Sequence, residues 1–111
     1  EIHSRTKRDA PSGTGKEIGA IVARELGREL DEIAEYGREG LGVRAPGSIQ
    51  FSSIRSGGTP STHRVIFGFQ HERLELTHRA YSAEAFAEAL IKAAIFVSGK
   101  DQGSFTLDDI L

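Results

Sequence analysis

Val65-Ile66-Phe67-Gly68-Phe69-Gln70-His71-Glu72-Arg73-Leu74-Glu75-Leu76-Thr77-His78-Arg79 alternates apolar and polar side chains on both sides of Gln70-His71. A period of two puts Val65, Phe67 and Phe69 on one face of a strand. It likewise gathers Leu74, Leu76 and His78 on one face of the next, with Arg73, Glu75, Thr77 and Arg79 opposite. Upstream, Ile49 and Phe51 alternate with polar neighbours as far as Arg55, and Gly57-Gly58-Thr59-Pro60 supplies turn chemistry. The 49–55 and 65–69 runs are therefore expected to pair as a hairpin. The result is a largely antiparallel meander with one apolar face available for a helix.

Helices flank this sheet. Ile18, Ile21, Val22 and Leu26 recur at three- and four-residue steps after the turn cluster Pro11-Ser12-Gly13-Thr14, which predicts a helix over 14–26 that Gly27 stops. Leu30 and Ile33 suggest a short helical turn, Ala34 to Arg38 a short strand, and Gly37, Gly40, Gly42, Pro46 and Gly47 an irregular loop. Ser82 reads as an N-cap for a second helix, 83–98, with the stripe Phe86, Ala89, Leu90, Ala93, Ala94 and Val97 and an end at Gly99. The tail from Gly103 carries Phe105, Leu107, Ile110 and Leu111, and needs a surface to lie on. The expected class is α+β, a mixed, mostly antiparallel sheet packed against helices.

Composition narrows the function. The chain has 111 residues, enough for one core. Lys+Arg 14 against Asp+Glu 16 gives a net charge of -2, which makes no electrostatic case for nucleic acid or an anionic membrane. Arg5, Lys7 and Arg8 are interrupted by acidic neighbours and no aromatic residue is interleaved among them. With Cys 0, disulfides, cysteine zinc sites and thiol nucleophiles are excluded. Met is absent as well, and a chain opening on Glu1 reads as an excerpt of something longer. No apolar run approaches the ~18 residues of a membrane span. His63, His71 and His78 lie on or beside expected strands without helical H-E-x-x-H spacing, so they are expected to be core or surface histidines and no metal site is expected.

The densest chemistry lies in Glu1-Ile2-His3-Ser4-Arg5-Thr6-Lys7-Arg8-Asp9-Ala10-Pro11-Ser12-Gly13-Thr14. His3 offers a proton near neutral pH and Lys7 a cation. The Ser12-Gly13-Thr14 turn opens a helix with unpaired N–H groups and a positive dipole end, which suit a carboxylate. Together they describe a site for an anion that needs protonating. Singly, each has an ordinary role: a surface histidine, a solvated lysine, a helix cap. Spacing alone does not choose.

This segment resembles the signature of the dihydrodipicolinate reductases, also called 4-hydroxy-tetrahydrodipicolinate reductases, which runs roughly E-x-H-H-x-x-K-x-D-A-P-S-G-T. Every specified place matches except the second His, which is Ser4. The likeness continues through Ile54-Arg55-x-Gly57, His63, Phe67, Glu72 to His78, Phe86-Ala87 and Gly103 to Leu111. It implies that His3 donates a proton, that Lys7 is a second catalytic cation, and that Gly13 and Thr14 bind a carboxylate of a small-molecule dicarboxylate substrate. Ser4 would supply a hydroxyl in place of an imidazole. Two further departures are Ala83, where the family commonly has Arg, and Ser61, where it has Gly.

The resemblance also implies a Rossmann-type domain that holds NADH or NADPH. No G-x-G-x-x-G follows a strand here, so this chain is expected to contribute no cofactor-binding residue and not to turn over alone. Residues 1–82 would form the substrate-binding and tetramerisation domain, and 83–111 a return helix and tail packing on the cofactor domain. A cytoplasmic homotetramer assembled through the sheet, working in lysine and diaminopimelate biosynthesis, is the implied setting. The competing expectation is a noncatalytic oligomerisation or anion-binding module derived from the same fold.

Overall fold

The computed structural model describes residues 1–110. Along the chain run β1 (Ile2–His3), α1 (Gly13–Glu25), α2 (Leu30–Ile33), β2 (Ala34–Tyr36), β3 (Ile49–Phe51), β4 (Ile54–Arg55), β5 (Ser61–Gly68), β6 (Arg73–Ala80), α3 (Glu84–Ser98) and a 3₁₀ turn (Leu107–Asp109). The larger sheet has the order β4-β1-β5-β6, and β2 pairs with β3 in a separate two-stranded ribbon. This is the expected α+β class with a mixed sheet.

The strongest unit is the β5–β6 hairpin. Its antiparallel register runs from Ser61 opposite Ala80 to Gly68 opposite Arg73, so His63, Val65 and Phe67 share a face with His78, Leu76 and Leu74. The other face carries Arg64 and Glu75, joined as an ion pair. A backbone bond from Phe69 N–H to the Glu72 carbonyl (2.8 Å) closes the turn through Gln70-His71.

The expected hairpin between the 49–55 and 65–69 runs does not form. β1 inserts between them, antiparallel to β5 at Ile2–Thr62 and parallel to β4 at Ile2–Ile54 and His3–Arg55. Two residues are too short to show a period, and parallel pairing through the α1 crossover leaves no turn signature in the sequence. The upstream half of the same run, β3, pairs in parallel with β2 instead.

α1 is capped at both ends. Ser12 is its N-cap, accepting the Gly15 N–H at 3.1 Å. At the other end Gly27, at φ +67, lets its own N–H reach the Arg24 carbonyl (2.9 Å) and Arg28 N–H reach Ala23 (3.0 Å), a Schellman closure. The inward face is narrower than the expected stripe: Gly19 and Ala23 are buried, whereas Ile21 is exposed and Leu26 lies exposed at an open cleft. The reason is close approach. A Cβ at Gly19 would lie 2.4 Å from Phe51 Cζ, so only a bare Cα lets β3 reach the helix, where Phe51 also stacks on Tyr36 at 5.4 Å.

Beyond that contact, α1 stands off the hairpin across a cleft of about 700 Å³ lined by Ile18, Val22, Phe51, Val65 and Phe67. Leu74 and Leu76 on β6 are more than half exposed. The expected Ser82 cap is also not seen: α3 begins after Ala83 with no side-chain cap, and no residue of α3 is buried. The tail does find a surface, with Phe105 edge-on to Phe96 at 5.5 Å and Lys100 Nζ 4.5 Å above the Phe96 ring. Leu111, expected to join that contact, lies outside the described residues.

Gly19→Ala should destabilise the fold by about 1–3 kcal/mol, the usual cost of overpacking a tight contact. The check is a lower urea midpoint with an unchanged slope, partly recovered in Gly19→Ala/Phe51→Leu. An unchanged midpoint would mean that Phe51 yields freely.

Candidate active site

β1, β4, β5 and the start of α1 meet at one buried carboxylate. Glu1 enters beside β1 with its side chain 6% exposed. Ser12 N–H donates to both carboxylate oxygens at 3.0 Å, the Ser12 hydroxyl donates to Oε2, and Arg55 Nη2 donates to Oε1 at 2.7 Å. Arg55 also reaches the Asp9 carbonyl at 2.6 Å, which ties the 4–12 loop to β4. Burial by itself would raise the Glu1 carboxyl, but the Ser12 hydroxyl, Arg55, the Ser12 N–H and Ser53 more than offset it and hold the group down at about 2.

Two imidazoles stand against this anion. His3 Nε2 is 3.6 Å and His63 Nε2 3.7 Å from Glu1 Oε2. The two Nε2 atoms are 3.4 Å apart, in an edge-on ring pair. His3 is buried, and its Nδ1 lies 3.1 Å from the Pro60 carbonyl. His63 Nε2 is 3.1 Å from Ser12 Oγ. Burial first, then the nearby His3, push the His63 imidazole below its ordinary range, while Glu1 pulls in the opposite sense.

The other expected residues lie around this cluster without joining it. Ser4 Oγ is 2.8 Å from Thr6 Oγ1, and Lys7 Nζ pairs with Asp9 at 2.8 Å. Gly13 and Thr14 occupy the first two helical places of α1, exposed, and their amides have no protein acceptor among the described residues. No hydrogen bond or ion pair joins His3, Lys7 and Thr14 to one another among those residues. Glu1 and Arg55 were not singled out by role in the sequence, Ser12 was read only as part of the turn that opens and caps the helix, and His63 was read only as a core or surface histidine. What unites them is a convergence across more than fifty positions, for which the only sequence signal is their place in the family pattern.

Glu1, His3 and His63 also form a group of three metal-type ligands with donor atoms within 4.8 Å. The chemistry of the set disfavours a cation. Both Glu1 oxygens already accept hydrogen bonds, and the Arg55 guanidinium fixes a positive charge 2.7 Å from one of them. The arrangement is suited to holding a proton.

The family model for the C-terminus of dihydrodipicolinate reductase matches residues 1–111. The chain belongs to that family. Among curated relatives, it is similar to the 4-hydroxy-tetrahydrodipicolinate reductases of Pseudomonas fluorescens (42% identical), Methylococcus capsulatus (44%) and Nitrosospira multiformis (46%). Each alignment covers 100% of this chain and 42% of the relative, so the chain spans less than half the length of the reductases it matches. No helix among the described residues is long and apolar enough to cross a membrane.

The depressed Glu1 carboxyl fixes an acid dependence. A carboxyl lowered in the fold contributes stability above its unfolded value and loses it as pH falls through the folded value. With 4.5 falling to about 2, the contribution is on the order of 3 kcal/mol, complete above roughly pH 5 and gone near pH 2. Glu1→Gln should lower the urea midpoint at pH 7 and flatten its fall between pH 5 and 2. A variant as stable as the parent at pH 7 would contradict this.

Proposed function

We propose that these residues form the substrate-binding and proton-donating part of an NAD(P)H-dependent 4-hydroxy-tetrahydrodipicolinate reductase of lysine and diaminopimelate biosynthesis, a cytoplasmic enzyme. The observation that carries this reading is the pairing, through Ser12, of a buried imidazole–carboxylate cluster with an open helix N-terminus in a chain that matches such reductases along its whole length. The Gly13 and Thr14 amides and the Thr14 hydroxyl point a dipole end at solvent and would take one carboxylate of the substrate. Lys7, already paired with Asp9, would add a charge at the same end.

A nicotinamide held by sequence outside these residues would supply the hydride for a conjugated imine. This chain's residues do not fit the dinucleotide. The loop from β1 into α1 is Pro11-Ser12-Gly13-Thr14 bound to Glu1, without a G-x-G-x-x-G turn, so the cofactor is assigned to sequence outside these residues. What His3 does is quench the electron density that builds on the ring, by giving up its Nε2 proton. Its Nε2 contacts of 3.4 and 3.6 Å are too long to be strong hydrogen bonds, so this atom is poised and not saturated.

Two surfaces support the larger assembly in this reading. The bare apolar side of α3, with Leu90, Ile91 and Ile95 all more than half exposed, suits the return of residues 83–111 to a cofactor domain. The uncovered strands β5 and β6 suit association of sheets into a homotetramer.

Titration of the complete protein with pyridine-2,6-dicarboxylate, a planar substrate analogue, should show binding that weakens in Thr14→Val. Equal affinity would remove the helix N-terminus as the carboxylate site. His3→Ala and Lys7→Ala should each lower kcat by about 10²–10⁴-fold with dinucleotide affinity unchanged. Analogue binding without turnover in the parent would favour the noncatalytic anion-binding module. The 111-residue chain alone is expected not to oxidise NADPH, and robust oxidation by it would overturn the division of labour.

A further inference from the structure

The hydrogen-bond partners of the buried cluster assign its protons. A carbonyl can only accept, so the Pro60 oxygen requires a hydrogen on His3 Nδ1, and neutral His3 therefore has a bare Nε2. Ser12 Oγ accepts from Gly15 N–H and gives its single hydrogen to Glu1. It has none left for His63, so His63 Nε2, at 3.1 Å, must be the donor to Ser12 Oγ. The neutral pair thus carries one proton between two Nε2 atoms 3.4 Å apart, beside a carboxylate that stays ionised.

A third ring proton makes the pair a cation. It then has one hydrogen on His3 Nδ1, one on His63 Nδ1 and one between the facing Nε2 atoms, with Glu1 3.6–3.7 Å from both as a fixed counter-charge. His63 also lines the cleft between α1 and β5, so this imidazole has a path to solvent. The other charged or titratable groups that bear on the pair are Arg55 on β4 and His78 opposite His63 on β6.

We infer that His63 and Glu1 are positioning residues for His3: the two imidazoles take up one proton as a unit, and that shared proton is the one His3 delivers. The inference rests on the reductase reading above. In the step itself the Nε2–H bond breaks, a C–H bond forms on the substrate ring, and the pair passes from cation to neutral while Glu1 remains an anion. The pair left neutral holds its hydrogens on the two Nδ1 atoms; exchange with solvent in the cleft returns the His63 hydrogen to Nε2, and one further proton recharges the pair. Glu1 makes the cation tolerable in a buried place, and Ser12, the cap of α1, couples that charge to the end of the helix where the substrate carboxylate would sit.

The test uses the complete protein labelled with ¹⁵N-histidine. Nitrogen shifts should show the Nδ1–H tautomer for neutral His3 and the Nε2–H tautomer for neutral His63, with both rings responding at a common midpoint. His63→Gln should lower kcat by about 10-fold, less than a lost acid–base group, with KM and Tm near the parent values. In Glu1→Gln, the common midpoint and the alkaline limb of kcat should both move to lower pH, because the counter-charge of the cation is gone. Independent midpoints, an Nε2–H tautomer for neutral His3, or a parent-like kcat and alkaline limb in both variants would overturn the inference. Should His63→Gln fail to fold, the tautomers and midpoints of the parent decide. A parent protein with coupled midpoints but no reductase activity would leave the shared proton standing and remove the reductase reading instead.

Discussion

The buried Glu1 carboxylate is the interaction on which the rest of the architecture hangs. It collects a guanidinium from β4, a hydroxyl and an amide from the cap of α1, and the edges of two imidazoles from β1 and β5. Removing a carboxylate from water is costly unless each lone pair finds a donor, and here each does. The same bonds that keep it ionised fix where the first turn of α1 begins and how β1 lies between β4 and β5. Structure and chemistry are therefore one network: the N-cap that starts the helix is also the hydroxyl that decides the tautomer of His63.

Apolar packing contributes less than a chain of this length usually supplies. Among the described residues only Ala23, Ile33 and Ala80 are buried apolar side chains, and none is large. Phe51 packs closely against Gly19 of α1 and stacks on Tyr36 of β2. The cleft between α1 and β5, the open face of Leu74 and Leu76, and the bare side of α3 are surfaces a folded protein normally covers. The polar network at the site is thus closed, while the apolar faces away from it stay open.

Much was legible from local pattern. The alternation from Val65 to Arg79 determined the β5–β6 hairpin, the three- and four-residue spacing before Gly27 determined α1 and its stop, and the Pro-Ser-Gly-Thr turn located a helix N-terminus with free amides. These features depend on neighbours within a few residues, where backbone geometry follows from side-chain type. The order of identities from Glu1 to Thr14 located the candidate chemistry in the same way, as a string.

Tertiary structure decided the rest. A two-residue strand carries no period, so β1 was invisible and its insertion displaced the expected hairpin. The inward face of α1 was decided by Phe51 reaching Gly19, a contact thirty-two positions away that leaves Ile21 exposed. The pairing of His63 with His3, and the roles of Arg55 and Ser12 around Glu1, likewise exist only after β4 and β5 have closed on β1. Sequence by itself determined elements and motif because those are set by short-range sterics and hydrogen bonding. The proton-holding cluster was decided by the fold, because a buried charge selects its partners by distance in space, and no local propensity encodes that distance.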